Sequence, residues 1–424
     1  MSTKSNPFII EEHILEGQHV REYPRAAREG ECLQLSVKRY IPKSNQDPKP
    51  GDLTIIGAHG SGYPKELYEP LWENICTRLS SHGIRVCSIW IADTANQGAS
   101  GILNEKKLGN DPSWFDHSRD LLYMINQFQA AMPGPIMGIG HSMGAGQLAL
   151  LSLMHPRLFT SLVLIEPVMV PDIYTGMGPE FVTIALAKKS SWPSRHEAER
   201  YLRKSYRKWD PRVLELYLEY GLRSQQPTVP DKESNPSDSK SSPVSLITHP
   251  RQEALQYLRP NFQHKQPASG DASHPDIIGP ARTTSLFYRT EPILLWNMLP
   301  HIRPSVLFVF GGKSPISTAP RRGDLLERTG TGVGGSGGVK QGKVKEVTVL
   351  RAGHTVPLEE VDLVSESVVE WVRGEMGRWN DEQERVKREW EGIDAGGGQD
   401  QFQDWEGPLK EATRLGQEAR KMKL

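Results

Sequence analysis

Gly140-His141-Ser142-Met143-Gly144 carries the most chemical content of any five residues in this chain. It follows the apolar run PIMGI and opens the helix-prone run AGQLALLSLM, which predicts a strand, a tight turn and a helix. A serine in such a turn is strained, and only glycine or something as small fits two residues to either side of it. The helix that follows aims amide hydrogens and a partial positive charge at the turn. Ser142 is therefore the candidate nucleophile. The letters alone do not carry this. Gly334-Gly335-Ser336-Gly337-Gly338 repeats them inside a glycine-rich stretch, with no strand before it and no helix after it.

A serine at neutral pH needs a general base. Of the thirteen histidines, His354 has the setting for it, in Arg351-Ala352-Gly353-His354-Thr355-Val356-Pro357. That loop follows the strand-like EVTVL and precedes a helix, so it delivers an imidazole to the carboxyl edge of a parallel sheet, where the turn also lies. His141 is expected to pack behind the turn. An acyl-transfer intermediate also needs backbone donors for its oxyanion. One is assigned to the Met143 amide and the other to Ser61, in Ala58-His59-Gly60-Ser61-Gly62-Tyr63. A phosphate loop is excluded: Gly312-Lys313-Ser314 has Leu307 where a glycine is required, and Lys343 is followed by Val344 instead of a hydroxyl.

These residues need a frame to hold them. Apolar runs at 53–58, 86–91, 135–140, 161–166, 306–311 and 346–351 alternate with amphipathic stretches, and one more strand-like alternation lies at 32–41. Strands without polar alternation imply a mostly parallel sheet covered by helices on both faces, an α/β fold. The rhythm breaks at 171–303, read as a helical lid insertion between two halves of the core, 1–170 and 304–374. Trp192, Trp209 and Met177 are candidates to line it. Its polar part, about 224–245, is expected to be disordered. The glycine-rich 329–343 is expected to be a mobile surface loop, and 375–424 a charged helical tail.

Fifty-one basic residues balance fifty-one acidic ones, which gives no electrostatic pull toward nucleic acid or an anionic membrane. With 24% charged and 37% hydrophobic residues the chain is globular in composition. Three cysteines, Cys32, Cys76 and Cys87, cannot all pair and fit no zinc spacing, so a reducing compartment is expected. The N-terminus lacks the layout of a signal peptide, and no apolar run is long enough for a transmembrane segment.

With these motifs the chain resembles the α/β-hydrolase fold family, in the order serine, acid, histidine. In most members the acid is an Asp in the loop after the strand that follows the lid. Here that loop reads Phe310-Gly311-Gly312-Lys313-Ser314-Pro315, with Ser314 at the expected place. A carboxylate stands one strand earlier, at Glu166 in Leu164-Ile165-Glu166-Pro167-Val168, as in some enzymes of this fold. Glu166 is preferred as the acid, with Asp172 and Asp324 as alternatives. Asp93–Ser100, Leu108–Trp114 and Asp116–Leu121 resemble a fungal subgroup that includes the yeast peroxisomal lipase and hydrolases of toxin pathways. In Met422-Lys423-Leu424 the last two residues match the end of the Ser-Lys-Leu peroxisomal address, with Met422 in place of the usual small residue, which implies an import receptor as partner and the peroxisomal matrix as location, with the cytoplasm as alternative.

The activity this implies is hydrolysis of a carboxylic ester or thioester through a Ser142-His354-Glu166 triad, with Ser61 and Met143 as the oxyanion hole. No metal or organic cofactor is expected. Acyl transfer by the same triad and ligand binding without catalysis are the alternatives. Epoxide hydrolysis on this fold would need an Asp in place of Ser142.

Overall fold

Apolar runs without alternation must be hidden on both faces, and they form the middle of one sheet. In a computed structural model of the chain, residues 6–172, 178–224, 242–261, 285–395 and 405–421 are described. Residues 225–241 of the polar stretch, Met177 and the tripeptide at 422–424 lie outside them. The sheet consists of β1 (Phe8–Glu16), β2 (Gln34–Pro42), β3 (Leu53–Ala58), β4 (Val86–Ala92), β5 (Ile136–His141), β6 (Ser161–Ile165), β7 (Ser305–Gly311) and β8 (Val344–Val349). Its spatial order is β1-β2-β4-β3-β5-β6-β7-β8. β2 pairs antiparallel with β1 and with β4, and every other pairing is parallel. Every residue of β3, β4, β6 and β7 is buried. Helices α1 (Glu69–Ser81), α2 (Gly98–Leu103), α3 (Trp114–Gln127) and α4 (Met143–Met154) follow β3, β4 and β5 in the chain. Side chains from strands and helices merge in one core, with Ile56, Trp90, Leu148, Leu164 and Phe308 among its members.

The strand β1 was not expected. Its residues, FIIEEHILE, mix apolar and acidic types without a clean period of two, and as an edge strand it leaves most of its side chains partly or fully exposed. The glycine-rich 329–343 also differs from expectation, because it is not an unanchored loop. Gly330, Gly332 and Ser336 donate backbone hydrogen bonds to the carbonyls of Leu299, Pro300 and Ile302. Glycine here allows close backbone packing: a Cβ on Gly335 would run into the Pro300 and Gly330 carbonyls.

Between β6 and β7 the chain forms α5 (Gly178–Ala187), α6 (Arg195–Ser205), α7 (Pro211–Tyr220) and α8 (Pro250–Tyr257). Ser194 and Asp210 cap α6 and α7, accepting from the amides of Glu197 and Arg212. The segment also holds a small sheet of Ser191–Trp192, Val244–Leu246 and Leu222–Ser224, which the sequence pattern did not reveal. Met1–Arg373 forms one compact unit and Gly374–Leu424 another, the latter built from the end of the helix Val361–Ala395 and from Glu406–Lys421. Among the described residues no helix is long and apolar enough to cross a membrane.

Phe308, fully buried in mid-sheet, tests the core. Phe308→Ala should cost about 3–5 kcal/mol, read as a lower thermal or urea midpoint; an unchanged midpoint would show that this part of the sheet is not packed as described.

Candidate active site

Ser142 sits between β5 and α4 at φ 55°, one of two non-glycine residues in the chain's described part with positive φ. The strain is accommodated by what flanks it. A Cβ on Gly140 would lie 2.7 Å from the Gly144 carbonyl oxygen, and one on Gly144 would land on the carbonyl of Ala58. Gly140 thus lets α4 start close behind β5, and Gly144 lets the turn pack against the end of β3. The Ser142 amide donates to the Ile165 carbonyl at 2.8 Å, which ties the turn to the end of β6.

Three candidates meet here. Ser142 Oγ lies 2.9 Å from His354 Nε2, and His354 Nδ1 lies 2.9 Å from Glu166 Oε2. Glu166 is the other positive-φ residue, at 49°, and this turn at the end of β6 directs it toward the loop after β7. There its buried carboxylate accepts from the Gly311 amide at 2.6 Å, Ser314 Oγ at 2.6 Å and Ser317 Oγ at 3.0 Å. Ser314, which stands where the fold usually supplies an Asp, is thus a donor to the acid one strand away. Sequence reasoning registered Ser314 only as a departure and had no signal for Ser317. The alternatives Asp172 and Asp324 are not bonded to His354; both act electrostatically on Arg321.

The histidine loop is itself held. Glu359, at the end of the short helix Val356–Glu359, accepts from the Gly353 amide at 3.1 Å and from Thr355 Oγ1 at 2.6 Å. Phe181 of α5 stacks on the His354 ring with centroids 6.3 Å apart. His141 is buried behind the turn, and burial together with the nearby His354 pushes its pKa down to about 3, so it stays a neutral imidazole.

The two assigned oxyanion donors face the same space. The Gly60 amide donates to Tyr68 Oη at 2.9 Å and the Gly62 amide to Gln97 Oε1 at 2.7 Å. Between them, the Ser61 amide donates no hydrogen bond among the described residues, nor does that of Met143 at the start of α4. Ser61, Ser142, Met143 and His354 all line a cavity of about 380 Å³. Its walls are largely apolar, with Tyr63, Trp114, Phe181, Ile184, Tyr206, Tyr257 and Leu258 prominent. Trp192 and Trp209, expected in this lining, are not part of it. Trp209 is buried one layer back, against Tyr63, Tyr206 and Tyr217. Trp114, Phe181 and Tyr257 come from helices whose apolar pattern did not distinguish a residue facing the cavity from one packed behind it. Among the described residues no cluster of His, Cys, Asp or Glu could hold a metal ion.

The Alpha/beta hydrolase family matches residues 55–366 of this chain. The chain is 37% identical over 404 residues to the Type I acyl-CoA thioesterase mpaH of Penicillium roqueforti, covering 91% of either protein. It is 31% identical over 255 residues to the abhydrolase domain-containing protein AFT2-1 of Alternaria alternata, covering 59% of this chain and 87% of that one. Among solved structures it is similar to the peroxisomal alpha-beta-hydrolase Lpx1 of Saccharomyces cerevisiae, with a TM-score of 0.67 at 17% identity over 88% of this chain and 90% of the other.

Two substitutions separate acid from donor. Glu166→Gln should lower turnover by about 10²–10⁴-fold, whereas Ser314→Ala removes one hydrogen bond to a charged group and should cost about 10-fold. Steady-state rates with a chromogenic ester decide it, and the reverse order would transfer the acid's role to the loop after β7.

Proposed function

This chain belongs to the Alpha/beta hydrolase family, and on that premise we propose that it is a serine hydrolase that cleaves acyl thioesters of the acyl-CoA type through an acyl-enzyme intermediate. That it is an ester or thioester hydrolase follows from its relatives. The finer reading is carried by one observation, the continuous hydrogen-bonded line from Ser142 Oγ through the His354 ring to the buried Glu166 carboxylate.

In this reading His354 Nε2 takes the proton of Ser142 as Oγ attacks the thioester carbonyl. The carbonyl oxygen becomes an oxyanion, and the Ser61 and Met143 amides stabilise it. When the tetrahedral intermediate collapses, the carbon–sulfur bond breaks and the thiol leaves with the proton from His354. Water, deprotonated by the same nitrogen, then attacks the acyl-enzyme and releases the acid. Glu166 keeps the Nδ1 proton in place and offsets the positive charge on the ring during each transfer. The apolar walls suit an acyl group that is itself largely apolar. The acyl-CoA class is taken from the thioesterase relatives, which match along nearly the whole chain. Peroxisomal location, expected from the last three residues, is also a proposal, as is the import receptor as partner.

A fluorophosphonate probe should label the wild-type protein and neither Ser142→Ala nor His354→Ala, and the wild type should release free thiol from medium- or long-chain acyl-CoA. Labelling that persists in Ser142→Ala would defeat this reading. A fluorescent fusion lacking Met422–Leu424 should lose its punctate distribution; one that stays punctate would remove the location.

A further inference from the structure

Behind the turn that carries Ser142 lies a buried chain of hydrogen bonds that the chemistry above does not use. The Gly60 amide lies 2.9 Å from Tyr68 Oη, Tyr68 Oη 2.7 Å from His141 Nδ1, and His141 Nε2 2.9 Å from the backbone carbonyl of His354. The two ends set its direction. An amide can only donate and a carbonyl can only accept, so His141 carries its proton on Nε2, and Tyr68 accepts from Gly60 while donating to Nδ1. The chain thus joins the loop of the oxyanion donor Ser61 to the loop of the base His354.

We propose that Tyr68 and His141 are positioning residues that hold the Ser61 amide and the His354 ring in register with each other. The inference rests on the roles given above to Ser61, Ser142 and His354. Both residues are almost fully buried, at 2% and 1% exposure, and neither lines the cavity, so they act through the loops and not on the substrate. The backbone of Gly60 is fixed at both of its polar groups. Its amide is held by Tyr68, and its carbonyl accepts from His59 Nδ1 at 2.9 Å, while His59 Nε2 accepts from the Thr94 amide. The approach also explains the glycine: a Cβ at position 60 would lie 2.7 Å from His141 Nδ1. A charged His141 would meet the Tyr68 hydroxyl with a second donor and break the chain, and its burial keeps it neutral.

Register matters because the two loops serve one reacting carbonyl. The oxyanion donor must stand about 2.7–3.1 Å from where the charge develops, and the base must stay within reach of Ser142 Oγ. A displacement of about 1 Å between them can cost on the order of 100-fold in rate. If Tyr68 and His141 served packing alone, through the ring contacts of Tyr68 with Trp72 and of His141 with Tyr63, loss of the Tyr68 hydroxyl would leave turnover intact.

Tyr68→Phe keeps the ring and removes the hydroxyl. Acyl-CoA turnover should fall by about 10-fold or more with KM changed by less than about twofold, while the melting curve matches wild type. His141→Gln keeps a donor for the His354 carbonyl and should retain more turnover than His141→Phe, which keeps a ring and neither hydrogen bond. A folded Tyr68→Phe with wild-type kcat, or with its loss confined to KM, overturns the proposal. If Tyr68→Phe does not fold, the two His141 variants decide, and equal turnover in both overturns it. Probe labelling separates this from the underlying reading. Labelling that survives in Ser142→Ala defeats the triad itself. Labelling that vanishes in Ser142→Ala and His354→Ala but runs at wild-type rate in Tyr68→Phe defeats only the positioning role.

Discussion

A carboxylate with no solvent exposure is expensive to bury, and the arrangement of this site follows from satisfying one at Glu166. Four donors surround it: a backbone amide, two serine hydroxyls and an imidazole. Three of the four come from the segment 311–317, so the loop after β7 must curl over the end of β6 to supply them. The fourth draws the His354 ring toward the sheet and turns its other nitrogen to Ser142. Without that carboxylate the imidazole would lose its Nδ1 partner. The positive φ at Glu166 is the local strain that makes the arrangement reachable.

The remaining requirement is close backbone approach. The turn at Ser142 packs against the end of β3 because residue 144 has no side chain, α4 starts close behind β5 because residue 140 has none, and the loop at Gly60 accepts the His141 ring for the same reason. Ser61, Ser142, Glu166 and His354 then all follow the carboxyl ends of parallel strands β3, β5, β6 and β8, as the topology of such a sheet dictates. Residues of α5 and α8 help line the space above them, and Phe181 of α5 stacks on the His354 ring with centroids 6.3 Å apart.

Much of this was legible in the residues. The apolar runs at 53–58 and 161–166 became strands almost residue for residue, because burial on both faces leaves no other reading of Val, Ile and Leu in series. Ser142 and His354 were legible because each sits at a switch from one periodicity to another. β1 was not, since an edge strand is under weak selection for pattern, and neither were the short strands of the insertion, which are two or three residues long. The role of Ser314 was invisible for a different reason. A serine carries no sign of whether it faces solvent or a carboxylate; only the fold reveals that. The lining aromatics share this limit, as Trp209 and Tyr206 are three residues apart and only one of them reaches the cavity.

The hydroxyl of Ser314, bonded to Glu166 at 2.6 Å, also constrains which residues position 314 can take. An aspartate at position 314 would press a second carboxylate against the first, and like charges at that distance cannot both stay ionised. An aspartate there would be compatible with Glu166 only as a pair sharing one proton. Positions 166 and 314 are thus coupled: which donors or acceptors fit at one depends on the residue at the other.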